Sequence, residues 1–367
     1  MKSTLDYYQA LPKVELHRHL EGSLRLATML DIARAHGITV PTNITRRSIR
    51  CHLRHLVQVQ NGEPFTYQNF LAKFTTLRMF YRSPEVIHRI TREAIEDAAK
   101  DNVRYLELRF TPVALSRAEH SLSAERFPMD EVIDWVCESA QQAAGEFGIM
   151  VRLLASVNRH ESLELAEQVA WLAADRIEKG LVGLDLAGNE AEFPLHPFVG
   201  LFHEAQKAGL RITVHAGEWA GAASVRSALE DMNAERIGHG VRILEDQSVV
   251  ALARERGATF DVCVTSNYQS GVVPSLEAHP LLKMLEAGLN VTLATDDPGI
   301  SQITLGDEYR QACETLGMTR QVLDERLLAA ARASFLPDEE RAGLVSRLKK
   351  EFRRQRSLYD PGFFQCP

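Results

Sequence analysis

Cysteine is scarce in this chain and shows no pairing pattern. Its 367 residues hold five cysteines, Cys51, Cys137, Cys263, Cys313 and Cys366, with no CxxC among them. An odd, scattered set excludes a disulfide framework and a cysteine-built zinc knot, and it fits free thiols in a reducing compartment. Long apolar runs are missing too. There is no stretch of about 18 apolar residues and no apolar N-terminal h-region, so neither a membrane span nor a signal peptide is expected, and the location predicted is cytoplasmic. Positive charge is not in excess. A formal net charge of −7 and a pI near 6.0 lack the basic footprint of a nucleic-acid binder, which leaves a small molecule as the expected partner. Repeats, linkers and low-complexity runs are absent, and residues 1–367 are expected to form one domain.

What is present is a regular alternation. A short buried strand opens at Val14, and seven further strand patterns follow at Val103–Phe110, Met150–Val157, Leu181–Leu186, Arg211–His215, Arg236–His239, Thr259–Cys263 and Asn290–Thr295. Helical periodicity lies between them, with extra helices after the first strand and at the C-terminus. Thr66 and Ser83-Pro84 carry helix-start signals, while 41–65 reads as irregular, and 46–66 is expected to contribute to a lid. Eight strands each followed by a helix predict a (β/α)8 barrel. The stripe Phe70, Leu71, Phe74 is either core packing or an apolar lid over a pocket.

In such barrels chemistry gathers at the C-terminal ends of the strands. The first strand carries His17 and His19, two residues apart and so on one face. The fifth ends in His215-Ala216-Gly217-Glu218, the sixth in Gly238-His239-Gly240, and the eighth in Thr295-Asp296-Asp297-Pro298. Each group alone has an ordinary explanation, such as a capping aspartate or a core histidine, but all of them at one mouth point to a metal centre. Three imidazoles and a carboxylate with an open position make a catalytic zinc site, and His17, His19, His215 and Asp296 are the predicted ligands of one zinc ion.

The segments Glu15-Leu16-His17-Arg18-His19-Leu20-Glu21-Gly22, Val214-His215-Ala216-Gly217-Glu218, Ile237-Gly238-His239-Gly240 and Ala294-Thr295-Asp296-Asp297-Pro298, with Leu184-Asp185-Leu186-Ala187-Gly188 between them, resemble the signature set of the adenosine deaminase family in order over nearly the whole chain. The resemblance implies an amidohydrolase-type barrel with one zinc ion and hydrolytic deamination of a 6-aminopurine. Strand four offers Asp185 and no lysine, so the carbamylated lysine of two-metal relatives is not available. By the same resemblance Glu218 protonates ring N1, His239 orients and deprotonates the attacking water, Asp297 hydrogen-bonds N7, and the Gly188 N–H reaches N3. His19, Glu21, Phe70 and Phe74 complete the substrate-binding set. Adenosine-preferring members carry aspartate where this chain has Glu21, so adenine or a modified adenosine stands as the alternative substrate. A lactonase or phosphotriesterase on the same barrel, or an inactive purine-binding relative, fits the Gly217-Glu218 pair and the intact His, Glu and Asp set less well. The HxE and PCxxC signature of the other zinc deaminases does not occur.

Overall fold

The computed structural model describes residues 4–39, 49–118 and 121–359. Eight parallel strands follow one another around a single sheet: β1 (Lys13–His19), β2 (Val103–Phe110), β3 (Met150–Asn158), β4 (Leu181–Ala187), β5 (Arg211–Ala216), β6 (Arg236–His239), β7 (Thr259–Val262) and β8 (Asn290–Leu293). The seam between β1 and β8 is joined by an isolated parallel bridge from Arg18 to Asp296, with His19 N–H donating to the Asp296 carbonyl at 2.8 Å and Asp296 N–H to that of His17 at 3.0 Å. The predicted (β/α)8 barrel is therefore the fold. Its strands are almost wholly buried, as strands covered by barrel contents on one face and helices on the other must be.

The helices start where their caps say. Thr66 Oγ1 accepts from Asn69 N–H ahead of Tyr67–Leu77, Ser83 Oγ from Val86 N–H ahead of Pro84–Lys100, and Ser162 Oγ from Leu165 N–H ahead of Leu163–Ala174. Extra helices in the connection from β1 to β2 are as expected, although among the described residues there are four α-helices where three were read, and Arg320–Ala333 and Asp338–Tyr359 close the chain. The sequence reading needs three corrections. Of the segment taken as irregular, residues 41–48 lie outside the described residues, but Ile49–Val57 is a helix whose Leu53 and Val57 are buried. A hairpin, Arg117–Ala118 with Ser121–Glu125, follows β2, and β7 passes directly into a helix, Val264–Gln269, both unforeseen. No helix among the described residues is long and apolar enough to cross a membrane.

Candidate metal and catalytic site

The predicted groups meet at the C-terminal mouth. The β1–β2 register shifts between Glu15 and Arg18, an irregularity of the kind that re-aims side chains near functional sites, and His17 lies within it. His17 Nε2 and His19 Nε2 stand 3.1 and 3.3 Å from the same oxygen, Asp296 Oδ1, and His19 Nε2 lies 3.3 Å from His215 Nε2. The His239 ring packs against His17 and His215 at 5.0 and 5.3 Å between centroids. Its Nε2 is farther from the carboxylates, 3.9 Å from Asp296 Oδ2 and 3.7 Å from Glu218 Oε2. One nitrogen or oxygen from each of His17, His215, His239 and Asp296 lies within 4.8 Å of the other three, and His19 adjoins that group.

Two of these residues hold unusual backbones. His239 (φ 62°) and Asp296 (φ 64°) both adopt the left-handed conformation, which non-glycine residues rarely take and which costs on the order of 1–3 kcal/mol. Strain kept at these two positions fits a site in which side-chain direction matters more than local stability. Gly22 is forced by the same crowding, since a Cβ there would sit 1.7 Å from Asp297 Oδ1.

Neighbouring groups fix each side chain. His215 Nδ1 faces Asp185 Oδ1 at 3.0 Å, and Asp185 also accepts from Ser156 Oγ at 2.9 Å and pairs with Arg109 at 3.3 Å. Burial alone would raise the Asp185 pKa, but His215 and Arg109 outweigh it and keep the carboxylate ionised. Ser266 Oγ donates to Asp296 Oδ2 at 2.7 Å. A relay reaches His239 from outside. Leu281 N–H donates to His279 Nδ1 (3.1 Å), so the His279 proton is on Nε2, facing Asn267 Oδ1 (3.2 Å); Asn267 Nδ2 then donates to His239 Nδ1 at 3.1 Å. A neutral His239 must therefore carry its proton on Nε2, the nitrogen directed at Glu218.

Glu218 sits on a turn held by Glu190, a residue the sequence reading missed. The buried Glu190 carboxylate accepts from the N–H groups of Gly217 (2.7 Å), Glu218 (3.0 Å), Trp219 (2.9 Å) and Ala220 (3.1 Å), and from Ser224 Oγ. Glu218 itself is buried, and its pKa is pushed well up by burial and then by Asp296, Glu190 and Asp297. Asp297 is driven well up by burial, Asp296 and Glu21, and its Oδ1 has no partner. Burial lowers His239 to about 3, and burial followed by the Arg109 charge takes His17 well below the usual histidine value, with neither of its ring nitrogens hydrogen-bonded. Burial works against ionisation of Asp296 too, but His17 and His19 hold it well below the usual carboxylate range. Burial thus works against charge on His17, His19, His239, Glu218 and Asp297, while the imidazoles beside Asp296 favour its carboxylate form.

These groups line a cavity of about 310 Å³, near the small end of ligand pockets, which run roughly 300–1,000 Å³. His19, Glu21, Phe70, Phe74, Gly188 and Asp297 all border it. Phe70 and Phe74 therefore serve both readings, since Phe70 is packed in the core and Phe74 rests half-buried against it while both roof the cavity. Gly188 takes φ +90°, a conformation that suits glycine. Glu21 Oε1 accepts from Thr111 N–H at 2.6 Å, while Oε2 is buried without a partner, and burial raises its pKa to about 7.

A family model described as adenosine deaminase matches residues 12–351. An adenosine deaminase of Klebsiella pneumoniae is 36% identical over 93% of this chain and 98% of its own length. Among solved structures, an adenine deaminase from Arthrobacter aurescens superposes with a TM-score of 0.83 at 27% identity, covering 94% of this chain and 99% of that one. A Burkholderia ambifaria amidohydrolase with bound zinc superposes with a TM-score of 0.86 at 25% identity, covering 98% and 96%.

Proposed function

The chain belongs to the adenosine deaminase family, hydrolases of carbon–nitrogen bonds in cyclic amidines, and on that premise we propose that its one barrel domain hydrolytically deaminates a 6-aminopurine with one zinc ion, adenosine and 2′-deoxyadenosine being the leading substrates. The observation that carries the reading is a buried knot in which His17 and His19 stand 3.1 and 3.3 Å from one Asp296 oxygen with His215 alongside, and the buried acids Glu218 and Asp297 border the same mouth.

The donor set fits a metal of the zinc type. Imidazole nitrogens crowd one carboxylate oxygen at 3.1 and 3.3 Å, His17 has no other partner, and His215 is oriented from behind by Asp185, as metal-binding histidines commonly are. His17, His19, His215 and Asp296 would hold the ion; His239 is left out because its Nε2 is the more distant from Asp296 and its Nδ1 is engaged by Asn267. When bound, such an ion supplies acidity to a water, lowering its pKa from 15.7 to about 7.

The chain's own groups then act on the purine. Glu218 gives its proton to N1, which removes aromatic stabilisation and makes C6 electrophilic; a raised pKa keeps that proton available near neutrality. Protonated Asp297 donates to N7, and the Gly188 N–H reaches N3. The relay through Asn267 supports one part of the role expected of His239, orienting the attacking oxygen and stabilising charge on it by donation from Nε2, over removal of its proton. Phe70 and Phe74 exclude water from above. C6 gains an oxygen, the C6–N6 bond breaks, and ammonia leaves.

The test is ammonia release from zinc-loaded and chelator-treated enzyme on adenosine, 2′-deoxyadenosine, adenine and N6-substituted adenines, with a lactone as the non-purine arm. Turnover of adenosine that vanishes on chelation and returns with zinc is expected. Turnover confined to adenine moves the substrate and keeps the mechanism, whereas silence on every purine ends the reading. Asp296→Ala should lower bound metal, and Asp297→Ala should lower kcat/KM at unchanged metal content; if both behave alike, the division between ligand and base-binder is wrong.

A further inference from the structure

The cavity has a second end. Arg78 follows the helix Tyr67–Leu77 and borders the same cavity as Glu218 and Asp297. It is half-buried, and its guanidinium makes no hydrogen bond and no ion pair with any described residue. A guanidinium stays charged at any working pH and brings five donors in a fork matched to phosphate or carboxylate. Among the described residues that border the cavity it is the one permanent cation. Its field reaches Glu21, Tyr81, His160 and Glu161.

Those neighbours do not use up its charge. Glu21 already accepts from Thr111 N–H, and Glu161 from Asn158 N–H (3.1 Å) and Asn158 Nδ2 (2.9 Å). Neither lies at ion-pair distance from Arg78. Tyr81 is fully buried, borders the cavity, and its hydroxyl has no partner; burial followed by the Glu21 charge keeps that hydroxyl protonated. Glu21 Oε2 is likewise buried and unpartnered. An unpaired guanidinium and a free phenol O–H thus border one pocket.

We propose that Arg78 and Tyr81 form an anion subsite, so that a 6-aminopurine nucleoside bearing a negatively charged group on its sugar, a phosphate or a carboxylate, is turned over in preference to its neutral parent. The choice of purine rests on the deaminase reading above; the anion subsite does not. Adenosine is then accepted but leaves these donors without an acceptor.

The test compares adenosine, adenosine 5′-monophosphate and adenosine 5′-carboxylate as substrates of the zinc enzyme. In parallel, inosine and inosine 5′-monophosphate are titrated calorimetrically into the metal-free protein. Wild-type protein should favour an anionic compound over its neutral parent roughly ten- to hundred-fold in both formats, the size expected of charge-assisted hydrogen bonds. The phosphate and carboxylate arms decide which anion is meant. Arg78→Met, with an unchanged circular dichroism spectrum, should collapse that ratio, and Tyr81→Phe should reduce it in part. A wild-type protein that treats charged and neutral compounds alike, or an Arg78→Met protein that keeps the full ratio, overturns the subsite. Tight, Arg78-dependent binding of inosine 5′-monophosphate without ammonia release from any purine would keep the subsite and sink the deaminase reading instead.

Discussion

In the lower half of the barrel Arg236 is fully buried between Glu107 and Asp261, the latter at 3.3 Å, with its guanidinium 3.7 Å above the Phe335 ring. Glu107 Oε1 accepts in addition from Tyr105 Oη and from Phe335 N–H, each at 2.6 Å, and Asp261 from Thr292 Oγ1 at 2.8 Å. At the upper end Glu218, Asp297 and Glu21 have no Lys or Arg at ion-pair distance among the described residues. Glu218 is ringed by other carboxylates, and Asp297 Oδ1, Glu21 Oε2, the Tyr81 hydroxyl and Trp219 Nε1 are buried without partners. Both ends are equally dry. The lower one sets its acids against a buried cation within the fold, whereas the upper one leaves several cavity-lining donors and acceptors unpartnered, as an end that receives a ligand would. A buried polar atom without a partner costs about 1–3 kcal/mol, so the upper end is held in place against its own local interest by the rest of the fold.

The sharpest way to break this contrast is to remove one carboxyl proton at the top. Glu218→Gln should lower kcat by roughly 10²–10⁴, the range of a lost general acid, while bound metal is retained and the thermal midpoint is unchanged or higher. Activity within tenfold of wild type would mean that Glu218 is not the acid. The pH profile should agree. Because Glu218 is needed protonated and its pKa is raised, kcat should fall as pH climbs through that raised value, and this alkaline limb should be missing in the residual activity of the Gln variant.

The matching change below should do the reverse. Arg236→Met strands Glu107 and Asp261 in the dry barrel, and breaking a buried charge set costs about 3–5 kcal/mol. The denaturant midpoint should drop accordingly, with kcat per folded molecule unaltered, since Arg236 is far down the strand from the mouth. A loss of kcat at full stability would erase the distinction between the two ends.

Much of this was legible in the sequence, and the limit has a physical pattern. The eight strands read correctly because a strand covered on both sides must be apolar whatever its partners, and the candidate site residues could be grouped because β1, β5, β6 and β8 each bring them to a strand end at one mouth. Glu190 was not legible. It is one acid in a loop, and its function comes from four N–H groups of a turn 27 to 30 residues later. Asn267 and His279 had the same fate, since only the folded contact with His239 gives them a role. Arg78 carries no signal in the sequence, and only the absence of a side-chain partner among the described residues marks it. The Ile49–Val57 helix was obscured by its basic residues, Arg50, His52, Arg54 and His55, which interrupt the apolar face formed by Leu53 and Val57. Periodicity and strand-end position survive in one dimension; support from a distant loop does not.

Glu190 offers a finer cut through the upper end. Glu190→Gln keeps the shape but replaces an oxygen that accepts with an NH₂ that cannot, so at least one turn N–H loses its partner, at about 1–3 kcal/mol. If that loss is felt as misplacement of Glu218, kcat should fall roughly ten- to hundred-fold with KM little changed. The neighbouring charge that helps raise Glu218 is also gone, so the alkaline limb should shift to lower pH. An unmoved limb with lowered stability alone would make Glu190 a purely structural brace.

The smallest effect expected is a slope. Glu21 has a folded pKa of about 7 against about 4.3 for a free glutamate. The folded state therefore holds the Glu21 proton more tightly than the unfolded chain. Its contribution to stability is fully present below about pH 4.3 and is lost as pH rises to about 7, beyond which it changes no further. In metal-free protein the thermal midpoint should accordingly decline across that window, and Glu21→Gln, which still accepts from Thr111 N–H, should make the decline shallower. A slope that Glu21→Gln leaves untouched would mean that Glu21 is ionised in the folded protein, and the upper end would then hold one charge more than the contrast between the two ends allows.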